Sequence, residues 1–93
     1  MRISGFIWLR NIVGKIEAKH GLSPDEVEEV FLASPQFRRL ENGKVEGENV
    51  YGAYGQTEAG RYLTVLFIRK LGGRALIITA RDMDSKERKQ YGR

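Results

Sequence analysis

The spacing of apolar side chains changes once along this 93-residue chain, and that change limits the folds open to it. Near the start, Leu9, Ile12 and Ile16 recur three and four residues apart, which is the spacing of one face of an α-helix. From Phe37 onward apolar and polar residues alternate, which is typical of β-strands. Helices followed by a run of strands predict a single α+β domain, residues 1–93, with an antiparallel sheet.

Capping signals mark where the predicted helices begin and end. Ser23-Pro24-Asp25-Glu26 supplies an N-cap hydroxyl, a proline at the first helical position and a glutamate at the third, which together form a capping box. Gly21 is placed to end the preceding helix in the left-handed conformation. Asp84 or Ser85 caps a last helix that we expect to end near Tyr91. We therefore predict two N-terminal helices and one C-terminal helix.

We predict one short strand before the helices and a meander of about four strands after them. The opening strand lies within Ile3–Trp8, where β-favouring side chains concentrate. Asn42-Gly43, flanked by Phe37–Leu40 and Val45, is a favoured tight hairpin turn. The next strands are placed at Val50–Thr57, Arg61–Lys70 and Arg74–Ala80. The last two are apolar on both faces, so we expect them at the centre of the sheet, with a helix packed on one side.

The amino-acid composition excludes several kinds of site, and the distribution of charge indicates possible partners. The chain has no cysteine, which excludes disulfides, thiolate zinc sites, iron–sulfur clusters and cysteine nucleophiles. No apolar run approaches the ~20 residues of a membrane span, so we expect a cytoplasmic protein without a membrane partner.

Residues 1–60 carry seven basic and nine acidic side chains, whereas residues 61–93 carry nine basic and three acidic ones. A basic last third is typical of a protein that meets phosphate backbones or an acidic partner, and equally of a solvated surface.

The only histidine, His20, ends the first predicted helix. Without cysteine, and without an Asp/His cluster around it in the sequence, it does not indicate a metal site. Two interpretations remain, a helix-end residue that interacts with the last carbonyls and a catalytic acid–base group. Lys15 and Lys19 are four residues apart and share a helix face, where their charges repel unless an anion lies across them.

Arg81 follows the last predicted strand. Strict alternation places it on the same face as Ala75, Ile77 and Thr79. In the helix that follows, Glu87 and Tyr91 share a face, and Arg88 stands about 100° around it.

A guanidinium beside a carboxylate, a second arginine and a phenol suits the pentacoordinate phosphorane of phosphodiester cleavage. The alternative is an ordinary helix with a capping box and i, i+4 support. The sequence has no phosphate loop, no dinucleotide fingerprint and no carboxylates at magnesium-site spacing. Phosphodiester chemistry in this chain would therefore be metal-free and directed at RNA, whose 2′-hydroxyl can be the nucleophile.

A series of short marks follows in order along the chain: Trp8, Lys15, Lys19-His20-Gly21, Ser23-x-x-Glu26-Val27, Val30-Phe31, Tyr51-x-x-Tyr54-Gly55-Gln56-Thr57, Gly60-Arg61-Tyr62-Leu63, Val65, Ile78-Thr79-Ala80-Arg81 and Glu87-Arg88-x-x-Tyr91. In this order and spacing they resemble the BrnT ribonuclease toxins of bacterial type II toxin–antitoxin systems. The resemblance implies a RelE-like α+β fold and a translation-inhibiting, metal-independent endoribonuclease without a cofactor. It also implies a ribbon-helix-helix antitoxin that binds operator DNA and tethers the toxin in an autorepressing complex.

The resemblance also favours a particular site. Its catalytic candidates are Lys15, His20, Arg81, Glu87 and Arg88, and its further RNA-binding candidates are Lys19, Arg61 and Tyr91. Glu87 or His20 would remove the 2′-hydroxyl proton, and the other would protonate the leaving 5′-oxygen. Arg81, with Lys15 or Arg88, would hold the phosphate and its developing charge.

Two departures from the family pattern are visible. Leu9-Arg10 follows the tryptophan where an acidic or amide residue is usual, and Val50 precedes Tyr51 where an arginine is frequent. They are compatible with a weaker or differently specific nuclease. Two other functions therefore stay open: a non-catalytic basic module that binds RNA or protein, and an inactive toxin homologue that acts as a corepressor with the antitoxin.

Overall fold

Three helices and five strands form the described part of the chain, residues 1–41 and 48–92 of a computed structural model. In chain order they are β1 (Gly5–Ile7), α1 (Arg10–His20), α2 (Pro24–Leu32), β2 (Gln36–Glu41), β3 (Val50–Gln56), β4 (Tyr62–Arg69), β5 (Arg74–Asp82) and α3 (Ser85–Tyr91). This order confirms the predicted α+β architecture with its early strand, paired helices, strand meander and final helix. Within the described ranges, no helix is long and apolar enough to cross a membrane.

The strands form one sheet in the order β1-β5-β4-β3-β2. Strands β2 to β5 are an antiparallel meander, as predicted, and β1 joins its far edge parallel to β5. The centre of the sheet is β4, with β5 beside it, in agreement with the apolar character of both strands. The predicted Asn42-Gly43 turn and Val45 lie outside the described residues; the register that is described places Glu41 opposite Val50.

The ends of α1 and α2 follow the predicted caps. Gly21 ends α1 in the left-handed conformation, with φ 61° and ψ 37°. At the start of α2, the Glu26 N–H donates to Ser23 Oγ over 3.2 Å, and the Ser23 N–H donates to Glu26 Oε1 over 3.1 Å. These reciprocal bonds satisfy two N–H groups that the helix itself leaves unpaired.

Helices α1 and α2 cover one face of the sheet, which we call the helix face, and bury the core against it. The fully buried side chains from the helices and their link are Ile16, Leu22, Val27 and Val30. They meet Leu63, Val65 and Phe67 of β4 and Ala75, Ile77 and Ala80 of β5. Phe31, near the end of α2, packs edge-on against Phe6 and Phe67 at 5.0 and 5.3 Å between ring centroids.

A β-bulge in β5 corrects one prediction. Leu66 of β4 pairs with Thr79, but the next residue, Phe67, pairs with Ile77, so Ile78 is an extra residue in β5. An extra residue reverses the alternation beyond it. Ala80 is therefore buried on the helix face, and Arg81, opposite Thr64 of β4, points to the other side. The expectation that Ala75, Ile77, Thr79 and Arg81 share one face is wrong for this reason.

Candidate functional site

The short helix α3 lies on the face of the sheet opposite α1 and α2. Asp84 caps it: its carboxylate accepts the Glu87 N–H over 2.8 Å, and the Asp84 N–H donates to Glu87 Oε1 over 2.9 Å. This capping box sets the direction of the first turn and holds the Glu87 side chain above the end of β5. None of the residues of α3 is buried, so its position depends on a few polar and aromatic contacts.

The strongest of these contacts is a two-point ion pair. Arg81 donates from Nη1 to Glu87 Oε1 over 2.7 Å and from Nη2 to Oε2 over 3.0 Å. Parallel N–H to oxygen bonds of this kind fix both the distance and the plane of the two groups. The Glu87 side chain is 17% exposed and that of Arg81 is 36% exposed, so the pair opens to solvent on the guanidinium side.

The electrostatics keep Glu87 ionised. Its pKa lies below the ordinary range, chiefly because of the hydrogen bonds from Arg81 and despite partial burial. The hydroxyl of Thr64, a residue only 1% exposed, lies beneath this carboxylate and lowers its pKa further. Thr64 Oγ1 has no hydrogen-bond partner of standard geometry among the described residues. The site thus holds a carboxylate over a buried hydroxyl.

Two tyrosines stack beside the ion pair. The rings of Tyr54 and Tyr91 are parallel within 11°, with 4.0 Å between centroids. Gly52 makes room for this stack, since a Cβ there would stand 2.7 Å from the Tyr54 hydroxyl oxygen. Burial raises the pKa of Tyr54 above the ordinary tyrosine range. A hydrogen bond with Tyr91 raises the pKa of the exposed Arg38 guanidinium.

A third arginine, Arg88, lies on the same face of the sheet as Arg81 and Arg38. The Arg88 guanidinium lies over the Tyr62 ring, 3.8 Å from its centroid, in a cation–π contact. We call the whole group the α3 cluster; its members are Arg38, Tyr54, Tyr62, Arg81, Glu87, Arg88 and Tyr91. Three guanidinium groups, one carboxylate and three phenols on one open surface suit the binding of a phosphate and the transfer of a proton.

Four of the eight predicted site residues meet in this cluster, namely Arg81, Glu87, Arg88 and Tyr91. Arg61 is engaged elsewhere. It binds both carboxylate oxygens of Asp82, at 2.7 and 2.9 Å, and donates to the backbone carbonyls of His20 and Gly21. Its side chain therefore joins the end of α1 to the end of β5.

The other three predicted residues lie on α1, across the sheet from the α3 cluster. Lys15 and Lys19 are exposed, and His20 is half-buried at the end of the helix. The Asp82 carboxyl has a lowered pKa, first because Arg61 binds it and in smaller part because His20 is nearby. His20 thus lies beside the Arg61–Asp82 pair.

Sequence reasoning did not select Arg38, Tyr54 or Tyr62 as site residues. Strand pairing brings these residues to the cluster. Arg38 of β2 is opposite Gly52 of β3. Tyr54 of β3 is opposite Thr64 of β4, and Thr64 is opposite Arg81 of β5. The quoted motifs Tyr51-x-x-Tyr54 and Gly60-Arg61-Tyr62-Leu63 contained two of them, but only strand pairing places Tyr54 and Arg81 on either side of Thr64.

Among the described residues, no group of three or more His, Asp and Glu side chains is placed to hold a metal ion. The arrangement of the α3 cluster is instead that of an anion-binding surface with one ionised carboxylate.

Comparison with known proteins identifies a family and a similar solved structure. A family model described as "Ribonuclease toxin, BrnT, of type II toxin-antitoxin system" matches residues 13–87. Among solved structures, the chain is similar to the 1.1 Å crystal structure of the Brucella abortus ribonuclease toxin BrnT, with a TM-score of 0.63 and 21% identity. That similarity covers 87% of this chain and 97% of the Brucella chain, and it supports the α+β fold. No curated protein matches by sequence.

Proposed function

The chain belongs to the BrnT family of ribonuclease toxins of type II toxin–antitoxin systems, and on that premise we propose that it cleaves RNA at the α3 cluster by attack of a 2′-hydroxyl, without a metal ion. The observation that carries the proposal is the two-point Arg81–Glu87 pair, flanked by Arg88 and Arg38. This pair places a phosphate-binding guanidinium, Arg81, next to a carboxylate that can act as a base, Glu87.

The arginines supply the electrostatic part of the reaction. Arg81, Arg88 and Arg38 bind the scissile phosphate and offset the charge that develops on its oxygens. Tyr54, like any tyrosine at neutral pH, is protonated, and burial raises its pKa further, so its hydroxyl donates to the same phosphate. The stacked Tyr54 and Tyr91 rings keep these donors in position before substrate arrives.

Glu87 is the group that we assign to take the 2′-hydroxyl proton. Its carboxylate is ionised at neutral pH, as a base must be. A phosphate that binds Arg81 draws the guanidinium away from Glu87, and the pKa of Glu87 then rises toward its ordinary value. The 2′-oxygen bonds to phosphorus, the bond to the 5′-oxygen breaks, and the leaving 5′-oxygen takes a proton from His20 or from water. The products therefore carry a 2′,3′-cyclic phosphate and a 5′-hydroxyl.

Lys15, Lys19 and His20 are also part of the proposed RNA surface. All three belong to α1, and His20 lies beside Asp82 at the end of β5. An RNA strand that passes around this end reaches both surfaces. Protonation of the leaving 5′-oxygen by His20 is tested by His20→Gln, which lowers cleavage about 100-fold if the imidazole is the acid and changes it little if His20 only lines the RNA path.

The proposed partner is the cognate antitoxin of the system, of ribbon-helix-helix type, through which the toxin would reach operator DNA. Induced expression tests the role in cells. The proposal predicts growth arrest that co-expression of the antitoxin relieves. Growth that continues normally, with the antitoxin still bound, favours an inactive homologue that acts as a corepressor.

Cleavage of RNA by purified variants tests the site. We expect Arg81→Ala to lose at least about 100-fold in kcat/KM. Arg74→Ala is the matched control, because Arg74 is an exposed arginine at the opposite end of the same strand. Equal losses in the two variants would assign the effect to overall charge and would refute the proposed site.

A further inference from the structure

Two threonine side chains are buried among the described residues, and their hydroxyls differ in their hydrogen bonds. Thr57 is 5% exposed, and its hydroxyl accepts the backbone N–H of Arg61 over 3.0 Å. Thr64 is 1% exposed, and its Oγ1 has no partner of standard geometry in the described part of the chain. A buried hydroxyl without a partner weakens a fold, because it has lost its bonds to water. Stability of the free protein therefore does not account for the hydroxyl of Thr64.

Strand pairing places Thr64 next to the proposed base. Thr64 lies in β4, opposite Tyr54 of β3 and Arg81 of β5. Residues that are directly opposite in antiparallel strands share a face of the sheet, so these three side chains form a row on the face that carries α3. Arg81 holds Glu87 over this row, and the Thr64 hydroxyl is among the groups that lower the pKa of Glu87.

The donors to Glu87 change when a phosphate binds. In the free protein, Oε1 accepts from Arg81 Nη1 and from the Asp84 backbone N–H, whereas Oε2 accepts from Arg81 Nη2 over 3.0 Å. In the proposed reaction a phosphate draws the Arg81 guanidinium away, so Oε2 loses this donor while the helix cap still holds Oε1. The Thr64 hydroxyl can take its place, because it is a neighbouring donor that the described residues leave unpaired.

We propose that Thr64 is a positioning residue for RNA cleavage: its hydroxyl donates to the Glu87 carboxylate when Arg81 binds the scissile phosphate, and so keeps Glu87 oriented toward the 2′-hydroxyl. The inference rests on the proposed nuclease function and deepens it. A side chain that is 1% exposed does not reach RNA, so Thr64 acts through Glu87. A valine would fill the same space without this donor.

The same hydrogen bond affects the proton affinity of Glu87. A hydroxyl that donates to a carboxylate favours the ionised form, so loss of the Thr64 hydroxyl raises the pKa of Glu87. Arg81 of β5 and Tyr54 of β3 also face the carboxylate from the sheet, and Asp84 lies at the cap of α3. These groups are the same in every Thr64 variant. A change in the titration of Glu87 between such variants therefore reports the hydroxyl.

Two substitutions separate the hydroxyl from the volume of the side chain. Thr64→Val keeps the shape and removes the donor, whereas Thr64→Ser keeps the donor and removes a methyl group. We expect Thr64→Val to lower kcat for RNA cleavage about tenfold, to leave KM within about twofold, and to move the acid limb of the pH–rate profile to higher pH. We expect Thr64→Ser to keep the wild-type acid limb and most of kcat.

Thermal denaturation distinguishes this role from a merely structural one. Thr64→Ser leaves a methyl-sized gap at a buried position and lowers the Tm, whereas Thr64→Val removes an unpaired hydroxyl and keeps at least the wild-type Tm. Stability and activity thus change in opposite order. Thr57→Val is the matched control. It removes the acceptor of the Arg61 backbone N–H, so we expect it to lower the Tm without moving the acid limb.

NMR titration of the Glu87 carboxyl carbon in RNA-free protein gives a measurement that does not depend on cleavage. We expect Glu87 to titrate at higher pH in Thr64→Val than in wild type, Thr64→Ser or Thr57→Val. If the wild type does not cleave RNA, the proposed function fails, and the titration still decides whether Thr64 bonds to Glu87. An unchanged titration and acid limb in Thr64→Val, or equal losses of kcat in the valine and serine variants, would overturn the proposal.

Discussion

One carboxylate oxygen of Glu87 accepts two hydrogen bonds at the same time. Oε1 accepts from Arg81 Nη1 over 2.7 Å and from the backbone N–H of Asp84 over 2.9 Å. The first bond belongs to the proposed site and the second to the cap of α3. The same side chain therefore determines where α3 begins and how Arg81 is oriented.

The lowered pKa of Glu87 predicts a pH dependence of stability. A carboxyl whose pKa is lower in the folded than in the unfolded chain stabilises the fold above its unfolded pKa, and this contribution is lost as the pH falls through the folded pKa. We expect Glu87→Gln to lower the free energy of unfolding by about 1 kcal/mol at pH 7. Urea denaturation at pH 7 and pH 3 measures the effect, and the deficit should shrink at pH 3. A deficit of the same size at both values would contradict the ion-pair account.

Arg61 is predicted to contribute to stability rather than to RNA contact, since its donors are bound to Asp82 and to two backbone carbonyls. We expect Arg61→Ala to lower the free energy of unfolding by about 1–2 kcal/mol and to change RNA affinity at most about as much as Arg74→Ala does. Thermal denaturation and filter binding measure the two quantities. A large loss of RNA affinity with unchanged stability would contradict this prediction and would assign Arg61 to RNA binding.

Helix α3 depends on its cap because it has seven residues and none is buried. We expect Asp84→Ala to reduce RNA cleavage by folded protein, since the Glu87 backbone N–H loses its side-chain acceptor and the first turn of α3 is held less firmly, whereas Asp84→Asn keeps a side-chain acceptor and most of the activity. Ser23→Ala removes the corresponding cap of α2 and is the control. It should cost about 1 kcal/mol of stability without a change in cleavage per folded molecule. Equal cleavage by Asp84→Ala and wild type would show that the α3 cap is not needed for activity.

The ends of helices α1 and α2 were predicted correctly from the sequence, because capping depends on residues close together in the chain. The hydroxyl of Ser23, the carboxylate of Glu26 and the conformational freedom of Gly21 act within a few residues, and all three lie where the sequence placed them. The bulge at Ile78 is different. It is visible only from the partner strand, because Ile77 and Ile78 are equally apolar and the alternation alone does not show which of them is extra.

The whole sheet explains why only part of the site could be predicted. Arg81, Glu87, Arg88 and Tyr91 are close in sequence, so one strand end and one short helix were enough to suggest them. Arg38 and Tyr54 reach the same surface from β2 and β3, through strand pairings that depend on the complete fold. The basic excess of residues 61–93 supplies two of the three arginines of the α3 cluster, and β2 supplies the third.

The central claim, that the α3 cluster cleaves RNA by 2′-hydroxyl attack without a metal ion, is tested most directly by the ends of the products. Purified protein is incubated with RNA in excess EDTA, and the fragment ends are identified by mass spectrometry. We predict 2′,3′-cyclic phosphate and 5′-hydroxyl ends, abolished by Glu87→Gln and retained in Lys89→Ala, an exposed substitution on the same helix. Intact RNA, or cleavage that appears only when magnesium is added, would contradict the claim.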